Sequence, residues 1–258
     1  MKRIRLLLVV AFLATSIFIA CKKDIYVKGE PEMILVEGGT FMMGCTGEQE
    51  DECWDWEKPV HQVTLSSYKI GKYPITQKEW IAIMESNPSR FQGNDLPVEM
   101  VNWDDAQEFI VKLNEATGKK YRLCTEAEWE FAARGGKLSK GYKYSGSNDI
   151  DAVAWWGGLY EGGNSAETTN PVGTKKSNEL GIYDMSGNVW EWCNDWWGNY
   201  TEEAQINPQG PIEGYYRVLR GGCWWNTTDY CRVSFHGGYY HHPSDRSNAV
   251  GFRVALSL

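Results

Sequence analysis

Apolar and polar positions outline the elements of the first half of the chain. Met33-Ile34-Leu35-Val36, the pair Gly38-Gly39, then Thr40-Phe41-Met42-Met43 predict a strand, a turn and a second strand. His61-Gln62-Val63-Thr64-Leu65 alternates apolar with polar and predicts another strand. Residues 45–58 between them are acidic and turn-rich, which predicts a surface loop. Thr76 followed three positions later by Glu79 is a capping-box pair, and it opens a helix over 77–84. Over 102–116, Ala106, Phe109, Ile110 and Leu113 recur at helical spacing, and Gly118 supplies the C-cap. Thr125 and Glu128 repeat the capping box ahead of Trp129, Phe131 and Ala132, and Gly135-Gly136 closes that segment. Beyond it the pattern loses its period, and only short strands are predicted, at 216–220, 230–234 and 250–256. From Glu32 onward there is no low-complexity linker and no obvious internal repeat, so 32–257 reads as one domain.

The N-terminal pattern is of another kind. Lys2, Arg3 and Arg5 precede an apolar run of 15 residues over 6–20. That is short of the roughly 20 residues of a membrane span and typical of a signal segment. It ends in Phe18-Ile19-Ala20-Cys21, which resembles a bacterial lipobox, although a small residue is commonest where Ile19 stands. The prediction is a signal peptide over 1–20, lipid on Cys21, and a tether over 21–31 beginning Lys22-Lys23-Asp24. An ordinary signal peptide or an uncleaved anchor is the alternative. A charged stretch after the cysteine resembles the surface-export signals of some Bacteroidetes lipoproteins. The expected place is the bacterial cell envelope, at the outer membrane or cell surface, with the membrane as a partner through the lipid.

Composition sharpens this picture. Thirteen Trp stand where about three or four are usual for the length, and Gly numbers 27. That points to a loop-rich domain packed on aromatics rather than a helical bundle. A net charge of -8 argues against a nucleic-acid partner, which would meet a basic face. With Cys21 assigned to lipid, Cys45, Cys53, Cys124, Cys193, Cys223 and Cys231 remain. An envelope location permits disulfides. Cys45 with Cys53 is one candidate staple and Cys223 with Cys231 another, but spacing does not fix the pairing.

Several segments then match one family in order along the domain. They are Pro59-Val60-His61-Gln62-Val63-Thr64-Leu65, Tyr73-Pro74-Ile75-Thr76 with Trp80, and Pro97-Val98 leading to Val101-Asn102-Trp103-Asp104-Asp105-Ala106. There follow Tyr121-Arg122-Leu123-Cys124-Thr125-Glu126-Ala127-Glu128-Trp129-Glu130-Phe131-Ala132-Ala133-Arg134-Gly135-Gly136 and Gly187-Asn188-Val189-Trp190-Glu191-Trp192. Arg220-Gly221-Gly222 and Gly251-Phe252-Arg253 complete the set. The ordered set resembles the formylglycine-generating enzyme (sulfatase-modifying factor) family. The resemblance implies an α+β, C-type-lectin-like fold with much irregular structure. The family is mixed in function, with copper oxidases that act on sulfatases, non-haem iron enzymes and binding proteins, so the site has to decide.

In the copper oxidases, Arg-Gly-Gly leads to a Ser and then to two Cys separated by four residues. Soft thiolates select Cu(I). Here the second position is Cys231, the first is Asn226, and Cys223 stands in the Ser position. An amide is no substitute for a thiolate, so the expectation is a catalytically divergent domain without copper. Cys223 with Cys231 as a rearranged copper pair would need an altered loop. His61, His236, His241 and His242 show no HxxxH spacing, which argues against an iron site of the related kind. The resemblance also implies a structural calcium site at Asp184, Gly187, Val189 and Glu191, whose oxygens suit that hard ion. The other reading is a Glu191 bonded to its surroundings with no ion.

The segment after Cys231 has neither strand nor helix period. Aromatic and small polar residues mixed in this way favour recognition. The expected ligand surface is Trp224, Trp225, Asn226, Asp229, Tyr230, Phe235, His236, Tyr239, Tyr240, His241, His242 and Asp245. The segment resembles the variable region of retroelement-diversified lectin-fold proteins, in which adenine mutagenesis rewrites Asn codons. Most of these residues are reachable from such codons and Trp225 is not; a merely divergent loop is the alternative. Trp190, Trp192, Trp196 and Trp197 are expected as core or pocket wall. The function expected is ligand binding, of a protein, a glycan or a small molecule. The alternatives are a sulfatase-modifying oxidase and a structural part of an envelope secretion or gliding machine.

Overall fold

Residues 27–50, 53–158, 162–237 and 241–258 are described by a computed structural model. Cys21, Tyr239 and Tyr240 lie outside them. Chain order begins with β1 (Met33–Val36), β2 (Gly39–Met43), β3 (His61–Leu65) and β4 (Tyr68–Gly71). Next come α1 (Gln77–Met84), α2 (Trp103–Thr117), β5 (Tyr121–Leu123), α3 (Glu126–Ala133) and the single turn α4 (Ile150–Val153). The last elements are β6 (Trp190–Trp196), β7 (Gln205–Ile206), β8 (Arg217–Arg220), β9 (Val250–Gly251) and β10 (Val254–Ser257).

Three small sheets result. One has the order β1-β4-β10-β5, the second β2-β3-β7 and the third β8-β6-β9. The first joins the two ends of the domain, because β10 lies between β4 and β5 and pairs antiparallel with both. The helices start where their caps require. Thr76, Asn102 and Thr125 each accept from the backbone N–H three residues on, and Glu79, Asp105 and Glu128 return the bond. Such a cap contributes about 1 kcal/mol. Gly118 ends α2 in the left-handed region, at φ 68°.

The core is aromatic. Trp80 stacks on Phe109 at 5.4 Å, and Phe252 meets both edge-on. Buried ion pairs cross it. Arg253 donates Nε to Glu191 Oε2 at 2.6 Å and Nη2 to Glu191 Oε1 at 2.7 Å, and it also reaches the carbonyls of Gly71 and Tyr183. One side chain thereby ties β10, β6 and the end of β4 together.

Two strand predictions need correction. Residues 228–231 form a 3-10 turn instead of the start of a strand over 230–234, because Arg232 and Arg220 hold the chain through side chains and carbonyls rather than a ladder. The predicted 250–256 strand is two, β9 and β10, in different sheets. Strand β6 is hidden among the irregular positions: its residues are buried on both faces, so no alternation marks it.

Glu99 carries a pH dependence. Its side chain is buried; Oε1 accepts from Phe91 N at 2.8 Å, and Oε2 has no partner. Burial, opposed only in part by the backbone donors of Phe91 and Arg90, pushes its pKa from 4.5 to about 7. Between those values the folded chain holds a proton that the unfolded chain has lost. Stability from this group is therefore full below pH 4.5 and is lost as pH rises to about 7, by at most about 1.4 kcal/mol per unit. Glu99→Gln is expected to flatten the unfolding free energy between about pH 5 and 7 by one proton's slope, checked by urea unfolding across that range.

Candidate functional site

The segment after β8 is held by two arginines, and a third, Arg134, binds Glu130, the carboxylate that pairs with Arg220. Arg220 is fully buried and donates to the carbonyls of Val233, Ser234 and Phe235 and to Glu130 Oε2. Arg232 makes a two-pronged pair with Glu57, at 2.8 and 2.6 Å, and Ser234 Oγ adds a third bond to that carboxylate. Arg134 is bound by Glu130, Glu48 and the carbonyl of Gly44. Planar guanidinium forks fix both position and orientation. The consequence is geometric: the irregular stretch 232–235 is fixed by side-chain bonds in place of a strand ladder.

The expected acidic loop lies against it. Cys45 and Cys53 form a disulfide, one of the two candidate staples. Cys53 is followed by Trp54-Asp55-Trp56 on a 3-10 turn that ends at Glu57, the partner of Arg232. Trp54 and Trp56 stack on each other, with centroids 5.0 Å apart and planes 7° from parallel. Between this turn and residues 230–237, with His241, is a cavity of about 590 Å³, in the range of small-molecule sites.

Aromatic rings wall it. Trp54 and Trp56 supply one side; Trp190 and Trp197 come from β6 and its end; Tyr230 and Phe235 come from the segment after β8. Trp190 meets Tyr230 at 85° and Phe235 at 51°, and Tyr230 meets Phe235 at 52°. Gly237 is required here: a Cβ on it would come 2.8 Å from the Trp190 ring and 2.7 Å from the Leu219 carbonyl. His236 lines the cavity while buried; neither ring nitrogen makes a full hydrogen bond, although the Trp56 backbone and Glu126 Oε1, at 3.7 Å, stand beside the ring. Burial first, then the charge of Arg220, holds its pKa down at about 3, so the imidazole is neutral.

His236 also touches residues of a second cavity, of about 330 Å³, lined by Glu126, Asp195, His61 and Tyr200 among others. Its ring stacks on Tyr200 at 4.7 Å, and its Nε2 is 3.7 Å from Glu126 Oε1. Glu126 accepts from Tyr200 Oη at 3.0 Å, and Asp195 accepts from the backbone of Glu126 at 2.9 Å. Burial raises the pKa of both carboxyls, and for Asp195 the neighbouring Glu126 raises it further.

The expected ligand residues are divided by the structure. Tyr230, Phe235, His236 and His241 line the aromatic cavity. Trp224 is buried in the core, with Nε1 bound to the Asn248 carbonyl, and Trp225 packs against the same core. Asp229 bonds to Thr228 within the 3-10 turn. His242 and Asp245 form a separate loop closed by His242 N to Asp245 Oδ2 at 2.8 Å. Trp54, Asp55 and Trp56 are absent from the expected set; the Trp-Asp-Trp triplet beside a bridged cysteine was the available signal.

The copper position does not fit copper. Asn226 Oδ1 accepts from the backbone of Cys223 at 3.1 Å and from its thiol at 2.9 Å, so the amide closes the turn. Burial pushes the Cys223 thiol up, and that of Cys231 to about 12, so neither is a thiolate at neutral pH. Cys223 and Cys231 are also not bridged, contrary to the second candidate staple, and Cys124 and Cys193 are free. Gly222, at φ 72°, lets Cys231 in: a Cβ there would sit 2.8 Å from its Sγ.

The expected calcium set is differently engaged. Glu191 takes Arg253 on both oxygens and Trp129 Nε1 at 2.7 Å. Asp184 accepts from Gly173 N at 2.7 Å. A guanidinium stands where Glu191 would share a cation, so the donor set does not fit calcium in this arrangement. Among the described residues no group of three or more His, Cys, Asp or Glu is arranged to hold a metal ion.

Comparison with known proteins agrees with this fold. The sulfatase-modifying factor enzyme 1-like domain matches residues 22–258, and the chain belongs to that family. It is 35% identical to chaperone protein LppX of Paenibacillus barcinonensis, over 81% of this chain and 84% of that one. It is 32% identical to serine/threonine-protein kinase Pkn1 of Chlamydia trachomatis over 88% of this chain, but it spans only 38% of that protein's length. Among solved structures, Treponema denticola variable protein 1 superposes with a TM-score of 0.78 at 32% identity, covering 88% of this chain and 95% of that one. The α+β, C-type-lectin-like fold is thereby established. No described helix is long and apolar enough to cross a membrane.

Proposed function

We propose that this chain is an envelope or cell-surface lipoprotein, anchored through Cys21, whose domain binds a ligand in the aromatic cavity and has left copper chemistry behind. The cavity carries the reading: six aromatic side chains surround about 590 Å³, and a buried His236 faces it with no full hydrogen bond on either nitrogen. Buried polar groups without partners are rare in folded proteins and concentrate where something else binds. The likeness to a variable protein supports a recognition role for the segment after Cys231, and retroelement diversification of that segment belongs to the same proposal. The ligand is a protein, a glycan or a small molecule. The alternative of a sulfatase-modifying oxidase has family membership and the retained Cys231 in its favour, against Asn226.

The test is a glycan and peptide array probed with the full chain and with a Phe235→Ala variant whose melting is checked first. Array features that the intact chain captures and the variant loses support the reading. Features captured equally by both contradict it.

A further inference from the structure

We propose that the group taken by the aromatic cavity is an alkylated ammonium, a positive charge carried on methyl groups. This rests on the ligand-binding reading above and specifies its chemistry.

Three observations carry it. The first is the arrangement of the rings. Trp190, Tyr230 and Phe235 meet at 51–85°, and Trp197 is inclined at 46° to His236. The stacked Trp54–Trp56 pair lies in the wall beside them. A flat sugar ring stacks on one such face at a time. A rounded, methylated cation touches several such rings together, and an aromatic ring attracts a cation over its face.

The second is the charge around the cavity. No Lys or Arg is among the described residues that line it, and Asp55 stands exposed at its wall. Behind it, Arg134, Arg220 and Arg232 are matched by Glu48, Glu130 and Glu57. Glu126 stands 3.5 Å from Arg220 and 3.7 Å from the His236 ring that lines the cavity. A cation entering the cavity meets Asp55 and no Lys or Arg in the described wall; an anion would find no positive side chain there to receive it.

The third is His236. Neutral and without a full hydrogen bond, it adds no positive charge to the wall, and it offers a ring nitrogen to a polar atom attached to the ammonium. The chain already uses the same physics elsewhere, with the Arg217 guanidinium 3.5 Å from the centre of the Trp196 ring and 3.9 Å from that of Trp103.

The experiment is calorimetric titration of the full chain with choline and with 3,3-dimethylbutan-1-ol, its uncharged isostere. Saturable choline binding, with the isostere about tenfold weaker, is expected. A Trp54→Ala variant should lose the choline response while keeping its melting temperature, because Trp54 is 42% exposed and outside the core. Glycerophosphocholine is the third probe: tighter binding than choline assigns the group to a lipid headgroup, weaker binding to a free molecule, and both support the inference. Equal affinity for choline and the isostere would overturn the ammonium assignment while leaving a binding cavity in place. Absence of a choline response, or a response unchanged in Trp54→Ala, would overturn it as well. Failure of the ligand-binding reading itself is seen separately, as array capture that ignores Phe235→Ala.

Discussion

An Arg253→Met variant is expected to lose about 3–5 kcal/mol of unfolding free energy, or to fail to fold. Arg253 is fully buried and makes four hydrogen bonds, two to Glu191 and one each to the carbonyls of Gly71 and Tyr183. Removing it leaves the Glu191 carboxylate buried, with only the Trp129 N–H to satisfy it, and frees two buried carbonyls. An uncompensated buried charge costs more than the pair contributes when intact. For a domain of this size the loss corresponds to a fall of about 10 °C in the melting midpoint. Arg253→Lys should rescue little, because one ammonium cannot span both carboxylate oxygens and both carbonyls. Thermal and urea unfolding measure this directly; a shift within about 1 kcal/mol for Arg253→Met would show that the pair does not hold the three segments together.

Glu57→Gln is expected to have an effect of similar size on stability, about 3–5 kcal/mol, and a second effect on binding. Its carboxylate is the sole acidic partner of the fully buried Arg232 among the described residues, and it also accepts from Ser234. The same residue ends the turn that carries Trp54 and Trp56. Loosening it lets one wall of the aromatic cavity move away from Phe235 and Tyr230. Stability and ligand capture should therefore fall together. The double variant Glu57→Met, Arg232→Met separates them. Replacing both members of a buried pair by apolar groups restores much of the stability, while the turn, no longer fixed to the 232–234 segment, should still fail to bind. Urea unfolding and array capture on the two variants check the pair of outcomes.

The parts of the fold that are legible in the sequence are those with local causes. The helices begin at capping boxes that are written in side chains three residues apart, and they are found at Thr76, Asn102 and Thr125. The first strands show their alternation because one face meets the core. Strand β6 does not show itself, since both of its faces are buried and its tryptophans read as core. The 230–234 prediction fails for the opposite reason. Its residues have strand-like composition, but arginine side chains from elsewhere, not a neighbouring strand, satisfy its carbonyls.

The site is half legible. An aromatic, aperiodic segment after Cys231 marks one wall of the cavity, and Tyr230, Phe235, His236 and His241 are found there. The opposite wall comes from residues 175 positions earlier in the chain, brought over by the Glu57–Arg232 pair. No local pattern announces a contact of that range. Trp224 and Asn226 fall among the aromatics, which predicts a place on the ligand surface, yet both are buried. Asn226 closes the turn that a copper-binding thiol would otherwise occupy, so one residue both removes a ligand and stabilises the loop without it.

That exchange allows the most direct test of the central claim, that this family member binds rather than oxidises. The full chain is reduced, supplied with Cu(I), desalted and incubated in air with a sulfatase-type cysteine peptide. Copper content and aldehyde formation on the peptide are then measured by mass spectrometry. The expected result is no retained copper at the Cys223–Cys231 turn and no aldehyde. One equivalent of copper retained, with thiol-dependent conversion of the peptide cysteine to formylglycine, would contradict it.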